Sequence, residues 1–292
     1  MNIYISDKWQ VSQWDISSNI AKKISNLTKK LDSIKFDTKD IIVLPDNNFN
    51  FFSQNVSFYQ KDKFTIKNFK DILSHIKDDL KWKIDLNINS NNYLIDNIYI
   101  NQNKETDVFW WSGHISFDIH ILSPHTIYPA KTIPINLWLI KYIHKTQNKK
   151  NFAILYINDK DSELIITKNW FYDKIININL GINQIKKDMI EDNAIQAMYD
   201  NDLDNVVTQK ILLEHYSYFN KLLSNWLKSN MPNDIDIYLS SKLSKSEIFM
   251  NIMKENLSKI WGGYIIPLWW IIPKWYENNI YISSMMLSGM IG

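Results

Sequence analysis

Apolar positions along this chain recur in two rhythms, and their alternation predicts the elements. Phe152-Ala-Ile-Leu-Tyr-Ile157 is a continuous apolar run with the length and β-rich composition of a buried strand. Leu164-Ile-Ile-Thr167 and Ile175-Ile-Asn-Ile178 are its expected neighbours, and Leu180-Gly-Ile-Asn-Gln-Ile-Lys-Lys-Asp-Met189 then turns the chain into a helix. Upstream, Asp15 is expected to cap a helix carrying Ile16, Ile20, Ile24, Leu27 and Leu31 on one face. Ile41-Ile-Val-Leu44 reads as a strand, residues 49–59 as one or two more, and Thr65 as the cap of a helix faced by Phe69, Ile72, Leu73, Ile76 and Leu80. A strand is expected over 93–100, and another over the alternating Ile115, Phe117, Ile119 and Ile121. Residues 133–144 read as a short helix, and 206–228 as a long one with Leu212, Tyr216, Phe219, Leu223 and Trp226 on its face. Ile235-Asp-Ile-Tyr-Leu239 is a strand, after which Ser244-Lys-Ser-Glu247 reads as a capping box for a helix bearing Phe249, Ile252, Met253 and Leu257. Strands alternating with helices in this way predict an α/β fold.

Composition narrows the class. With 292 residues, 45% of them hydrophobic, the chain can bury a core large enough for two or more subdomains. Its net charge of +2 is spread along the sequence, so no basic stripe points to nucleic acid. The absence of cysteine excludes a disulfide framework or thiolate metal site and fits a reducing, cytoplasmic setting. The most apolar stretch, 264–272, is too short for a bilayer and is interrupted by Pro267. His114, Asp118 and His120 share one face of a strand, but the two histidines lie too far apart to hold one ion, and a hydrated sheet face is the simpler reading.

Twelve Trp stand against six Gly, the reverse of ordinary usage. Asn169-Trp170 joins two strands where Asn-Gly is the preferred turn, Trp110-Trp111-Ser-Gly113 lies in a loop, and Trp261 precedes Gly262-Gly263. The pattern fits UGA codons read here as Trp where the source reads Gly; the rival reading is that these Trp pack the core.

The order strand, hairpin, strand, helix over 151–190, closed by the LG-x-NQI-xx-DM of Leu180 to Met189, resembles bacterial actin-like proteins, most closely the cell-division protein FtsA and more weakly the pilus-assembly homologue PilM. Ser112-Gly-His-Ile-Ser-Phe-Asp-Ile-His-Ile121 resembles a strand of FtsA's extra subdomain 1C, and residues 278–289 resemble the end of its last core helix. The resemblance implies an actin-like (ribonuclease H-like) two-lobed fold with a reduced 1C subdomain. It divides the chain into a 1A-like part (1–59), the 1C-like part (60–123), a return to 1A (124–150), a 2A-like core (151–190), a reduced 2B-like region (191–230), more 2A (231–260) and a 1A-like end (261–292). The family's first phosphate hairpin is expected to be missing, because the 14 residues before Asp15 are too few for two strands and their turn.

The same resemblance places a nucleotide site. The family's Asp-Ile-Gly-Gly-Gly-Thr-Thr-Asp-Ile loop falls on Tyr156 to Leu164, giving Asn158, Asp159, Lys160, Asp161, Ser162 and Glu163, with Gly181 nearby; its Leu-Thr-Gly-Gly-Gly turn falls on Ser240, Ser241 and Lys242. Every phosphate-contacting glycine is replaced, and side chains there obstruct the approach of backbone N–H groups to phosphate. The resemblance therefore implies a scaffold with a degenerate nucleotide site, binding FtsZ-like filaments through the 2B-like region and associating with itself through the 1C-like region. It would reach the inner face of the membrane at the division site only through partners. The alternatives are an active ATPase using ATP with magnesium, in which Glu163 serves the metal and Lys160 offsets phosphate charge, and a PilM-like pilus adaptor.

Overall fold

Four apolar residues in succession, Ile41–Leu44, cannot alternate between core and solvent, so they need neighbours and cover on both sides. A computed structural model of the chain supplies them; it describes residues 2–7, 10–17, 20–27, 34–37, 39–80, 93–126, 128–187, 206–261 and 263–271. The described residues form two units, one up to Tyr142 and one from Ile143 onward.

In the first unit, β1 (Asn2–Asp7), β2 (Gln10–Ser17) and β3 (Ile20–Leu27) form an antiparallel meander. On its other edge β1 runs parallel to β4 (Ile41–Leu44), whose four residues are all buried. The chain then leaves this sheet to build another. β5 (Phe49–Gln60), α1 (Ile66–Leu80), β6 (Tyr93–Ile100), β7 (Asn103–Lys104) and β8 (Gly113–Pro124) make a four-stranded antiparallel sheet in the order β5-β8-β6-β7. Phe69, Leu73 and Ile76 of α1 pack in one core with Ile115, Phe117 and Ile119. Thr65 and Asn68 cap the helix reciprocally: the Thr65 N–H donates to Asn68 Oδ1 at 2.9 Å, and the Asn68 N–H donates to Thr65 Oγ1 at 3.5 Å. The chain returns as β9 (Lys131–Pro134), parallel to β4, and runs into α2 (Ile135–Gln147). The first sheet thus has the order β3-β2-β1-β4-β9.

The second unit repeats that plan. β10 (Phe152–Ile157), β11 (Ser162–Lys168) and β12 (Phe171–Ile178) are an antiparallel meander, followed by the six-residue α3 (Ile182–Lys187) and the long α4 (Val206–Asn230). β13 (Asp236–Ser241) pairs parallel with β10; α5 (Glu247–Trp261) follows; β14 (Ile265–Pro267) pairs parallel with β13, and α6 (Leu268–Ile271) succeeds it. The order β12-β11-β10-β13-β14 is the first sheet's order, with the same strand directions. Leu212, Tyr216, Phe219 and Leu223 of α4 and Phe249, Met253 and Leu257 of α5 enter one core with Leu155, Leu164 and Leu239.

Several expectations are corrected. The helix expected over Asp15 to Leu31 is β2 and β3, as far as these residues are described. Ile16, Ile20 and Ile24 are spaced by four, which fits a helical face and a period of two equally, and pairing with β1 selects the strand. Two strands consequently begin within the first 14 residues, and Asp7 pairs with Gln10 across Lys8 and Trp9, which lie outside the described residues. The helix read from Ile133 begins two residues later, because 131–134 form the edge strand β9. Ser246, rather than Ser244, begins α5, accepting from the Phe249 N–H at 3.4 Å, while the Ser244 hydroxyl donates to the Ser241 carbonyl. The residues expected to end the chain's core helix, 278–289, and the region 191–205 lie outside the described residues.

Candidate functional site

The β10–β11 hairpin fixes the centre of the site. Ile157 pairs with Ser162, leaving a four-residue turn of Asn158, Asp159, Lys160 and Asp161. The turn closes on itself: the Asn158 N–H donates to the Asp161 carbonyl at 2.9 Å, and Asn158 Nδ2 donates to Asp161 Oδ1 at 3.2 Å. Parallel pairing of β10 with β13 sets Tyr156 beside Ser240 and Ile157 beside Ser241, bringing two distant segments to one end of the sheet.

Gly181 and the first turn of α3 lie against this hairpin. A Cβ on Gly181 would stand 2.4 Å from the Lys160 carbonyl carbon and 2.6 Å from the Asp161 nitrogen, so only glycine lets the two backbones approach this closely. Ile182 and Asn183 donate their N–H groups to the carbonyls of Asn158 and Asp159 at 2.9 and 2.8 Å. The Gly181 N–H donates to Gln184 Oε1 at 2.7 Å. Three amides at a helix start, the groups that would otherwise be open to an anion, are occupied by the chain itself.

A cavity of about 360 Å³ remains beside the turn, lined by Ile157, Asn158, Asp159, Ile182, Ser240, Ser241 and Lys242. Lys242 Nζ lies 3.2 Å from Asp159 Oδ2, an ion pair with both side chains well exposed and therefore worth less than about 1 kcal/mol. Asp159 Oδ1 is buried and accepts no hydrogen bond. Behind the site, burial pushes the Tyr238 phenol up to about 12, with Asp236 adding to the shift.

The expected residues thus separate. Asn158, Asp159, Ser240, Ser241 and Lys242 line the cavity. Lys160 and Asp161 belong to the turn without lining it, and Gly181 lies beneath it. Ser162 is buried and donates to the Leu180 carbonyl, while Glu163 sits within β11 between Tyr156 and Asn177. Ile157 and Ile182, which complete the lining, were not singled out by sequence reasoning; Ile182 could have been, since it directly follows the Gly181 on which the turn rests.

These residues fit ATP with magnesium poorly. The close-approach space at Gly181 is filled by the hairpin's own backbone. The orphaned oxygen of Asp159 belongs to a group whose other oxygen already faces an ammonium, an arrangement that opposes a divalent cation. Among the described residues no cluster of three acids or histidines is placed to hold a metal. On the four-stranded sheet, Asp118 accepts from Asn55 Nδ2 at 2.9 Å and Asn97 Nδ2 at 2.7 Å, and His120 Nδ1 lies 2.9 Å from Ser53 Oγ.

No protein-family model and no curated protein sequence matches the chain. Among solved structures it is similar to a PilM-PilN type IV pilus biogenesis complex, at 8% identity and a TM-score of 0.46, over 99% of this chain and 97% of that one. It is also similar to a Bacteroides thetaiotaomicron protein with an actin-like ATPase fold and unknown function, at 10% identity and a TM-score of 0.40, over 98% and 94%. A Bacillus thuringiensis ParM hybrid protein with ADP is similar at 11% identity and a TM-score of 0.34, over 59% and 29%. The chain's own topology, a meander joined to two parallel strands and present once in each unit, is that of an actin-like (ribonuclease H-like) fold.

Proposed function

We propose that this chain is an actin-fold scaffold that acts by binding partners, with a nucleotide site closed by its own backbone. The observation carrying the reading is the seal at Gly181, where the hairpin carbonyls take the first α3 amides and the hairpin backbone fills the space beside the glycine. Tight phosphate binding needs such amides free and such space empty. In finer detail the proposal is an FtsA-like division protein holding FtsZ-type filaments, which the LG-x-NQI-xx-DM stretch and the inserted four-stranded sheet support. Among the described residues no helix is long and apolar enough to cross a membrane; attachment at a division site through a partner is part of the proposal.

The test is calorimetry with Mg-ATP on the folded chain, paired with co-sedimentation on FtsZ-type filaments. Absence of heat together with co-sedimentation is the expected result. Saturable micromolar binding of Mg-ATP would replace the scaffold by an ATPase, and no co-sedimentation would remove the FtsZ assignment.

A further inference from the structure

Two tryptophans occupy backbone conformations that bulky L residues rarely take. Trp170 has φ +57° and the preceding Asn169 has φ +50°, while Lys168 pairs with Phe171 across them. A two-residue hairpin with positive φ at both central positions is the type I′ turn, whose preferred pair is Asn-Gly. Trp110 has φ +71° in the loop before Gly113. Its N–H donates to the Phe64 carbonyl and the Phe64 N–H donates to the Trp111 carbonyl, so the backbone there is anchored while the Trp110 side chain is 68% exposed.

The company these two keep sharpens the point. The other non-glycine residues at positive φ among those described are Asn97, Asn101, Gln102, Asn148, Asn169 and Asp234. All but Gln102 are Asn or Asp, whose short polar side chains tolerate the left-handed region. Trp has no such allowance. Nor does burial compensate at Trp110, whose ring gives little apolar area to any core. Trp170 has a ring partner in His144, centroids 6.0 Å apart, but that contact does not require positive φ.

We infer that positions 110 and 170 are glycine in the protein as its source cell makes it, the tryptophans arising where a codon read as Gly in that cell is translated as Trp. Two independent turns, chosen by backbone angle and not by composition, select residues of the type that is in excess, 12 against 6 Gly. The inference also bears on function. With glycine at 110, the exposed indole on that loop disappears as a stacking or docking surface.

Peptide mapping by mass spectrometry on protein isolated from the source cells decides the matter. Glycine at both positions is expected, and tryptophan at either overturns the inference for that position. Trp110→Gly and Trp170→Gly in the full recombinant chain give a readout that does not depend on the source. Each should raise Tm by a few degrees, and a variant whose Tm is unchanged or lower refutes the conformational argument at its site.

Discussion

Gly181→Ala puts the seal over the candidate site to its most direct test. The new Cβ would meet three backbone atoms: the Lys160 carbonyl carbon at 2.4 Å, the Asp161 nitrogen at 2.6 Å and the Asp159 carbonyl oxygen at 2.8 Å. No rotamer change relieves a clash with backbone, so the 158–161 turn must lift or α3 must withdraw. Overpacking of this kind costs about 1–3 kcal/mol. Either movement also stretches the bonds from the Ile182 and Asn183 amides, worth about 1 kcal/mol each. The sum, about 3–5 kcal/mol, is a large part of the roughly 5–15 kcal/mol that holds an ordinary domain folded. Urea unfolding of the full chain would give the total, and hydrogen exchange at Ile182 and Asn183 would locate it, with protection at both amides falling sharply. A loss of stability below about 0.5 kcal/mol with unchanged exchange would refute the reasoning, because a surface substitution without consequence gives that result.

Two further substitutions separate charge from packing. Burial, and then the neighbouring Lys131, lower the Lys141 ammonium to about 8, so between about pH 8 and 10 the folded chain binds fewer protons than the unfolded one and stability rises with pH. That rise should end near pH 10, where Tyr238, pushed up to about 12, begins to keep a proton that the unfolded chain releases. Lys141→Met should stabilise the chain at pH 7 by about 1–2 kcal/mol, the full shift being discounted for the water that still reaches the ammonium, and should flatten the pH slope in urea titrations. Lys242→Ala should change stability by less than about 1 kcal/mol in the same assay and lose even that effect in high salt, since its pair with Asp159 is exposed on both sides.

What could be read from the sequence follows from how local the deciding interactions are. β10 and β11 were legible because their apolar runs are buried from both faces, and β12 because its turn residues are explicit. α1, α4 and α5 announced themselves by clean stripes such as Phe69-Leu73-Ile76 and Leu212-Tyr216-Phe219-Leu223. β2 and β3 were not legible, because spacing by four serves a helix and a strand alike and the choice lies with β1, a different segment. β9 is a four-residue edge strand whose only warrant is the neighbouring β4. At the candidate site the loops could be placed by resemblance, but the seal could not. It depends on the distance between Gly181 and a turn twenty residues earlier, which no pattern along the chain records.

The repeat of one topology allows the two halves to be compared position by position. In each sheet the parallel strands end at the same side as the first hairpin turn, and in α/β sheets ligands gather at such ends. In the second unit that end holds the hairpin turn, backed by Gly181, with the cavity of about 360 Å³ beside it. In the first, the place just past β4, which corresponds to Lys242 just past β13, holds Asp46, only 3% exposed, whose carboxylate accepts from both the N–H and the Nδ2 of Asn136 at the start of α2. The register of β4 with β9, Leu44 beside Pro134, is what brings these two residues together. A carboxylate bonded to both groups fixes the start of the helix. The two strand ends therefore differ: past β4 a buried acid is tied to the start of a helix, while past β13 Lys242 lines a cavity together with Asp159.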